Sequence, residues 1–313
     1  MTKSAANPQK TIPATAWALM ALLAFLWGGS FPATRAALGE VGVLTTVAFR
    51  VTGGAIALWL VIFLRGLPVR GGWRIALVFA GMGFLNNILP WCLIVWGQSH
   101  IPSGLAAILN ASTAIFTVLL AALVFADEKL APRKAVGVLL GLAGVATVMG
   151  LAALSAFDLT SLAQLAILGA SVSYAFAGIF ARRHLGGQPP EVAAAGMLSA
   201  SALVMIPTAL TLEGTPTFDY QPHVWLALLY LGLIGSALAF LCYYRALRLA
   251  GAGNVSLVTL MIAPVSVVLG ALFFGESLTV SDYAGFVLLA AGLLIIDGRI
   301  LPRIHLARER KSA

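Results

Sequence analysis

Leu44 to Leu64 reads LTTVAFRVTGGAIALWLVIFL, a run of 21 residues with one charge, Arg50. An α-helix rises about 1.5 Å per residue, so this run spans about 30 Å, the thickness of a bilayer's hydrocarbon core. Its apolar residues are continuous where a membrane β-strand would alternate. It therefore predicts a transmembrane helix. Nine other segments follow the pattern: Trp17–Leu38, Trp73–Trp96, Ser103–Phe125, Lys134–Met149, Leu162–Arg182, Val192–Thr211, Val224–Leu247, Val255–Phe274 and Tyr283–Ile296.

The composition agrees with this reading. Of 313 residues, 60% are hydrophobic and 10% charged, and the mean hydropathy is +0.98. A soluble domain carries about a quarter charged residues. Length alone suits two domains, but the even spread of apolar runs argues for one bundle in lipid. The net charge of +8 resides in short loops and marks topology; no nucleic-acid partner is expected. Cys92 and Cys242 fall inside apolar runs, where cysteine behaves as a small hydrophobe. The four histidines, His100, His184, His223 and His305, stand far apart at segment ends. No metal site, cofactor or enzyme nucleophile follows from them. Lys3 and Lys10 before an apolar run resemble a signal peptide. The run is longer than such a region and has a counterpart halfway along the chain, so a retained first helix is expected.

Lys and Arg mark cytoplasmic loops. With a cytoplasmic N-terminus, 17 of the 19 basic residues lie inside, leaving Arg35 and Arg50 towards the outer side. Glu40, Asp158, Glu213, Asp219, Glu276 and Asp282 fall outside. Both termini are thus expected in the cytoplasm. The expected parts are a tail over 1–15, five helices over 16–150, five more over 151–298, and a basic tail over 299–313.

A shift of 148 positions brings Phe125 onto Phe273, Glu128 onto Glu276, Leu130 onto Leu278, Gly137 onto Gly285 and Ala143-Gly144 onto Ala291-Gly292. A shift one shorter brings Trp27 onto Tyr174 and Arg35 onto Arg182. Five helices per half is an odd number, so the second half enters the membrane from the opposite side. Inverted repeats place a substrate site near mid-membrane between halves that rock against each other.

Leu26-Trp27-Gly28-Gly29-Ser30-Phe31-Pro32 and Phe49-Arg50 resemble the drug/metabolite transporter superfamily. Phe125-Ala126-Asp127-Glu128 and Phe273-Phe274-Gly275-Glu276, each closing the fourth helix of a half, are similar to its EamA-type branch. The overall layout resembles bacterial YddG-type amino acid exporters. The resemblance covers essentially the whole chain. It implies an all-α, ten-helix basket of two inverted five-helix repeats around a central cavity, with helices five and ten at the edge. It also implies residence in the bacterial inner membrane.

Polar side chains inside lipid normally face the bundle interior. Expected cavity residues are Trp27, Ser30 and Thr34 of helix one, and Phe84, Asn87, Trp91 and Gln98 on one face of helix three. Asn110, Thr113 and Thr117 form a line on helix four. Ser171, Tyr174 and Gly178 do so on helix six, Ser236 with Phe240 and Tyr243 on helix eight, and Ser256, Thr259 and Ser266 on helix nine. Of these, Trp27, Ser30, Asn87, Trp91, Asn110, Thr113, Tyr174, Ser236 and Thr259 are the substrate-binding candidates. Interhelical packing is the other reading for single Ser and Thr positions. Pro32, Pro90 and Pro264 are candidate structural or gating positions, and Pro90 can kink helix three and free a carbonyl. Arg50, some 7 Å into helix two, can snorkel to the outer interface; pairing with Glu40 and reading a substrate carboxylate are its alternatives. Glu128 and Glu276 are expected to orient loops by accepting hydrogen bonds at the next helix N-terminus.

Every acidic residue falls at a membrane edge, so no carboxylate is placed as a mid-membrane proton relay. The expected function is facilitated, alternating-access export of neutral or zwitterionic metabolites, amino acids and aromatic ones included. The alternative is a drug or nucleotide-sugar carrier of the same fold, which a basic cavity would favour; a channel or a membrane enzyme ranks below both. Expected partners are a small-molecule substrate and the lipid bilayer. Gly137 and Gly141 have GxxxG spacing, which is expected to serve contacts within a monomer.

Overall fold

The computed structural model describes residues 13–69, 71–124, 132–149, 159–185, 188–250, 255 and 258–297. The regular structure among them is entirely helical. In chain order the helices are α1 (Ala14–Gly28), α2 (Ser30–Ala37), α3 (Val43–Leu64), α4 (Trp73–Gly83), α5 (Leu89–Gln98), α6 (Ser103–Asn110), α7 (Thr113–Val124), α8 (Pro132–Met149), α9 (Leu159–His184), α10 (Pro190–Leu212), α11 (Pro222–Leu229), α12 (Ala239–Ala250), α13 (Val258–Phe274) and α14 (Val280–Asp297). Wide π-helical turns at Phe84–Ile88 and Tyr230–Leu238 join α4 to α5 and α11 to α12.

Seven continuous helices are long and apolar enough to cross a membrane: residues 14–37, 43–64, 73–98, 103–124, 160–181, 190–212 and 222–250. Their starts fall within three residues of those expected. Three shorter apolar helices, Ala135–Thr147, Met261–Phe274 and Val280–Gly292, accompany them. Large apolar side chains such as Phe63, Leu123, Leu203 and Val287 stand on the exterior, a surface stable only in lipid. The chain is a multi-pass membrane protein.

Four of the seven long helices are irregular in mid-course. Pro90 lacks an N–H, and its ring would clash with the carbonyl of Asn86; the turn before it widens into the first π segment. That extra width rotates the helix. Asn87, Trp91 and Gln98 are buried, whereas Phe84, expected on the same face, turns outward at 51% exposure. In the second π segment the Ser236 hydroxyl donates to the Leu231 carbonyl five residues back at 2.9 Å. α1 and α2 part at Gly29, where the Tyr230 hydroxyl sits in the space a Cβ would fill. That hydroxyl donates to the Phe25 and Leu26 carbonyls at 3.2 and 3.1 Å. α6 and α7 part at residues 111–112, so Asn110, Thr113 and Thr117 do not follow one regular helix.

α8 and α14 pack against each other backbone to backbone. A Cβ on Gly144 would lie 2.6 Å from the Leu289 nitrogen and 2.7 Å from the Gly285 carbonyl oxygen. One on Gly292 would lie 2.5 Å from the Gly137 oxygen and 2.7 Å from the Gly141 nitrogen. The glycine spacing thus serves a contact within the chain.

One face of the bundle is tied together by carboxylates. Glu213, just past the end of α10, accepts from the Leu44 and Thr45 nitrogens and the Thr45 hydroxyl at 2.9, 2.8 and 2.7 Å. Glu276 accepts from the Ser103 nitrogen and hydroxyl and the Gly104 nitrogen at 2.9, 2.8 and 3.2 Å. Glu40 accepts from the Gln221 nitrogen at 2.9 Å. These cap the N-termini of α3, α6 and α11, whose first N–H groups lack intrahelical partners. Glu276 therefore caps a helix remote in sequence; the next helix, α14, is capped by its own Asp282 at Thr279. Glu128 lies outside the described residues. Partial burial, then the nearby Glu213 and Glu40 carboxylates, raise the Tyr220 phenol above its ordinary value. On the opposite face Arg65 meets Glu191 at 4.0 Å.

Candidate functional site at the helix breaks

The irregular turns converge on Arg50. It lies seven residues into α3, Asn110 seven into α6, and Trp91 and Ser30 seven before the ends of α5 and α2. Each is about 10 Å of helix rise from the carboxylate-tied face. Arg50 does not snorkel and does not pair with Glu40. It is 8% exposed, and its guanidinium stacks 3.9 Å above the Trp91 ring. Its Nε donates to the Ser236 hydroxyl at 3.3 Å. The Tyr174 and Tyr230 phenols lie within electrostatic reach, and Tyr174 also meets the Trp91 side chain. Among the described residues no carboxylate lies within 4.0 Å of Arg50. The centre therefore carries a fixed positive charge, and of the readings open for Arg50 the snorkelling one is corrected.

The small residues beside Arg50 make room for it. Gly53 approaches the Gly232 backbone to 3.3 Å from where its Cβ would stand, so α3 and the second π segment touch directly. Ser30 fills the corresponding space at Gly235, 2.5 Å from that residue's Cβ position, and donates to the Leu26 carbonyl at 3.1 Å.

The other candidates distribute around this cluster. Trp27 packs against Tyr243 at 5.6 Å and edge-on to Phe240 at 6.5 Å, forming an aromatic wall with α12. Asn87 is fully buried, donates to Ser201 at 3.1 Å and accepts from Asn86 at 3.2 Å. Thr113 donates to the Asn110 carbonyl at 2.7 Å, and Ser171 reaches the same oxygen at 3.4 Å. Thr259 is half-buried on α13. Pro32 and Pro90 are buried, whereas Pro264 stands exposed on the outward side of α13 with Val268, and Gly178 is also exposed. Ser256 lies outside the described residues. Grooves of about 480 Å³ between α3 and α10 and about 190 Å³ along α9 touch neither Arg50 nor Asn110. Among the described residues the side chains around Arg50 pack on one another.

Tyr230 and Ser201 were not among the expected residues. A mid-span tyrosine gives a weak signal for Tyr230. For Ser201 there is none, because its role depends on the partner helix.

An interior cation between discontinuous helices of a multi-pass bundle suits a membrane carrier. The EamA-like transporter family model matches residues 15–150 and again 161–297; the chain belongs to that family. It is 27% identical to the transporter YvbV of Bacillus subtilis over 297 residues, covering 92% of this chain and 93% of that one. A probable terminal-alkyne amino-acid exporter of Streptantibioticus cattleyicolor is 28% identical, covering 92% and 94%. A probable amino-acid metabolite efflux pump of Salmonella typhimurium is 25% identical, covering 88% and 93%. One solved structure superposes with a TM-score of 0.67 at 21% identity, over 93% of this chain and 99% of that one, a likeness of fold.

Proposed function

We propose that this transporter exports small zwitterionic metabolites, amino acids foremost and aromatic ones among them, by facilitated alternating access. The observation that carries this is the buried Arg50, which has no acidic partner among the described residues. An uncompensated interior charge costs several kcal/mol, roughly, and a substrate carboxylate offsets that cost by binding there. Trp91, Tyr174 and Trp27 supply apolar and aromatic surface for the rest of the molecule. A nucleotide sugar would bring a diphosphate, which calls for more than the single cation described at this centre.

The reading places ten helices in two inverted halves, 16–150 and 151–298, with tails over 1–15 and 299–313. Seven long and three shorter apolar helices support the count, and the twofold family match supports the halves. The π segment Phe84–Ile88, moved by 148 positions, falls inside Tyr230–Leu238, as a repeat requires. The tied carboxylate face is read as external, both termini as cytoplasmic, and the membrane as the bacterial inner membrane. A reporter active only in the periplasm, fused after Ala313, is expected to stay silent; strong activity would invert this topology.

No described Asp or Glu stands where a proton could reach it alternately from both sides. Transport is therefore expected without a proton gradient. Purified protein in liposomes, given a panel of radiolabelled amino acids with and without an imposed pH difference, tests this. Exchange of one or more amino acids at uniform pH is the expected result. Concentrative uptake that needs the pH difference and is lost with a protonophore overturns the facilitated mechanism; no amino-acid flux at all overturns the substrate class.

A further inference from the structure

Asn110 is the last residue of α6, where the helix stops before residues 111–112 and resumes at Thr113. Its side-chain Oδ1 is buried without a hydrogen-bond partner among the described residues, and so is the hydroxyl of Ser112 in the same turn. The end of a helix concentrates partial negative charge on its last carbonyls. A buried amide oxygen left unpaired costs about 1–3 kcal/mol, so a donor is expected from outside the chain. α9 links this turn to the surroundings of Arg50. Ser171 reaches the Asn110 carbonyl oxygen at 3.4 Å, while Tyr174, one turn along the same face, meets the Trp91 side chain and lies within electrostatic reach of Arg50. Residues three apart on a helix stand about 5–6 Å from each other. One face of α9 thus connects the electron-rich Asn110 turn with the surroundings of the Arg50 cation, each seven residues from the carboxylate-tied ends of its helix.

We propose that the Asn110 turn receives the ammonium group of the substrate whose carboxylate lies on Arg50, so that the site selects zwitterions over simple carboxylic acids. This rests on the reading of Arg50 given above. No described carboxylate is available at the centre to hold an ammonium. Neutral oxygens at the end of α6 do so without creating a second fixed charge, and the loaded site carries only the charge of Arg50.

The test uses the full chain in liposomes and, for each amino acid that the wild-type protein carries, the matching acid without its amino group. Phenylalanine with 3-phenylpropionate and leucine with 4-methylpentanoate are the first pairs. Wild type is expected to prefer the zwitterion by roughly 10- to 100-fold, the worth of a buried hydrogen bond to a charged group. Asn110→Leu should lose that preference, read as the ratio of amino acid to acid uptake within the same variant, and Asn110→Asp, which keeps an acceptor, should restore it. Equal transport of both pair members by wild type, or an unaltered ratio in Asn110→Leu, overturns the proposal and leaves the Arg50 reading standing. Failure of the acids and the amino acids alike to compete or move would bring down the Arg50 reading itself. If Asn110→Leu proves unfolded by gel filtration, the ratio for wild type and Asn110→Asp still decides.

Discussion

Arg50→Gln is expected to lose amino-acid transport by at least about 30-fold while the protein becomes no less stable. The two halves of this expectation have opposite signs, and together they separate a binding role from a structural one. Losing one partner of a buried, hydrogen-bonded charge pair in a complex costs about 2–5 kcal/mol, which sets the loss of flux through the affinity scale. In the substrate-free protein the guanidinium has Trp91 and Ser236 but no carboxylate among the described residues. Stacking on a desolvated aromatic ring returns about 2 kcal/mol, less than the cost of burying the charge. A neutral glutamine removes that cost, so the apparent Tm in detergent should hold or rise. Unimpaired flux in Arg50→Gln, or a clear fall in its Tm, would show that Arg50 serves the fold instead.

Gly144→Leu should destabilise the protein by about 3 kcal/mol or more, at the upper end of what overpacking costs. The Cβ position meets main-chain atoms of Gly285 and Leu289, which cannot yield as a flexible side chain does. Thermal unfolding in detergent reads the effect. Gly178→Ala is the control: nothing lies within 4 Å of its Cβ position, and alanine is the better helix former by about 0.5–1 kcal/mol. Equal Tm values for Gly144→Leu and wild type would show that α8 and α14 are free to separate.

How far the sequence could be read depended on whether the deciding contact was local. The long spans were legible because length and hydropathy are properties of one segment. Pro90 was legible as a disturbance, but its form, a widened turn that swings Phe84 outward, was not, because ideal helical spacing assigns Phe84 and Asn87 to one face. Arg50 was ambiguous on chemical grounds. A long cation near the end of a span can reach water or turn inward, and its choice rests on Trp91 and Ser236, 41 and 186 residues away. Asn87 was read as a cavity residue because an amide in lipid must find partners; it finds them in Asn86 and Ser201. Glu276 was legible as a cap, though the residues it caps lie 172 and 173 positions earlier in the chain.

The carboxylate-tied face has a consequence for how cheaply it can separate. Glu40, Glu213 and Glu276 join helices through directed bonds to main-chain N–H groups and hydroxyls, and all of these groups are well hydrated once apart. Such a bond contributes little net free energy in water, about 1.5–3 kcal/mol when one partner is charged, because hydration replaces what is broken. An apolar seal of similar extent would instead resist wetting in proportion to its area. The clasp sets the register of three helices through bonds whose loss is partly offset by hydration. The facilitated carrier proposed above has this requirement: neither orientation can be so deep a well that the other is never visited.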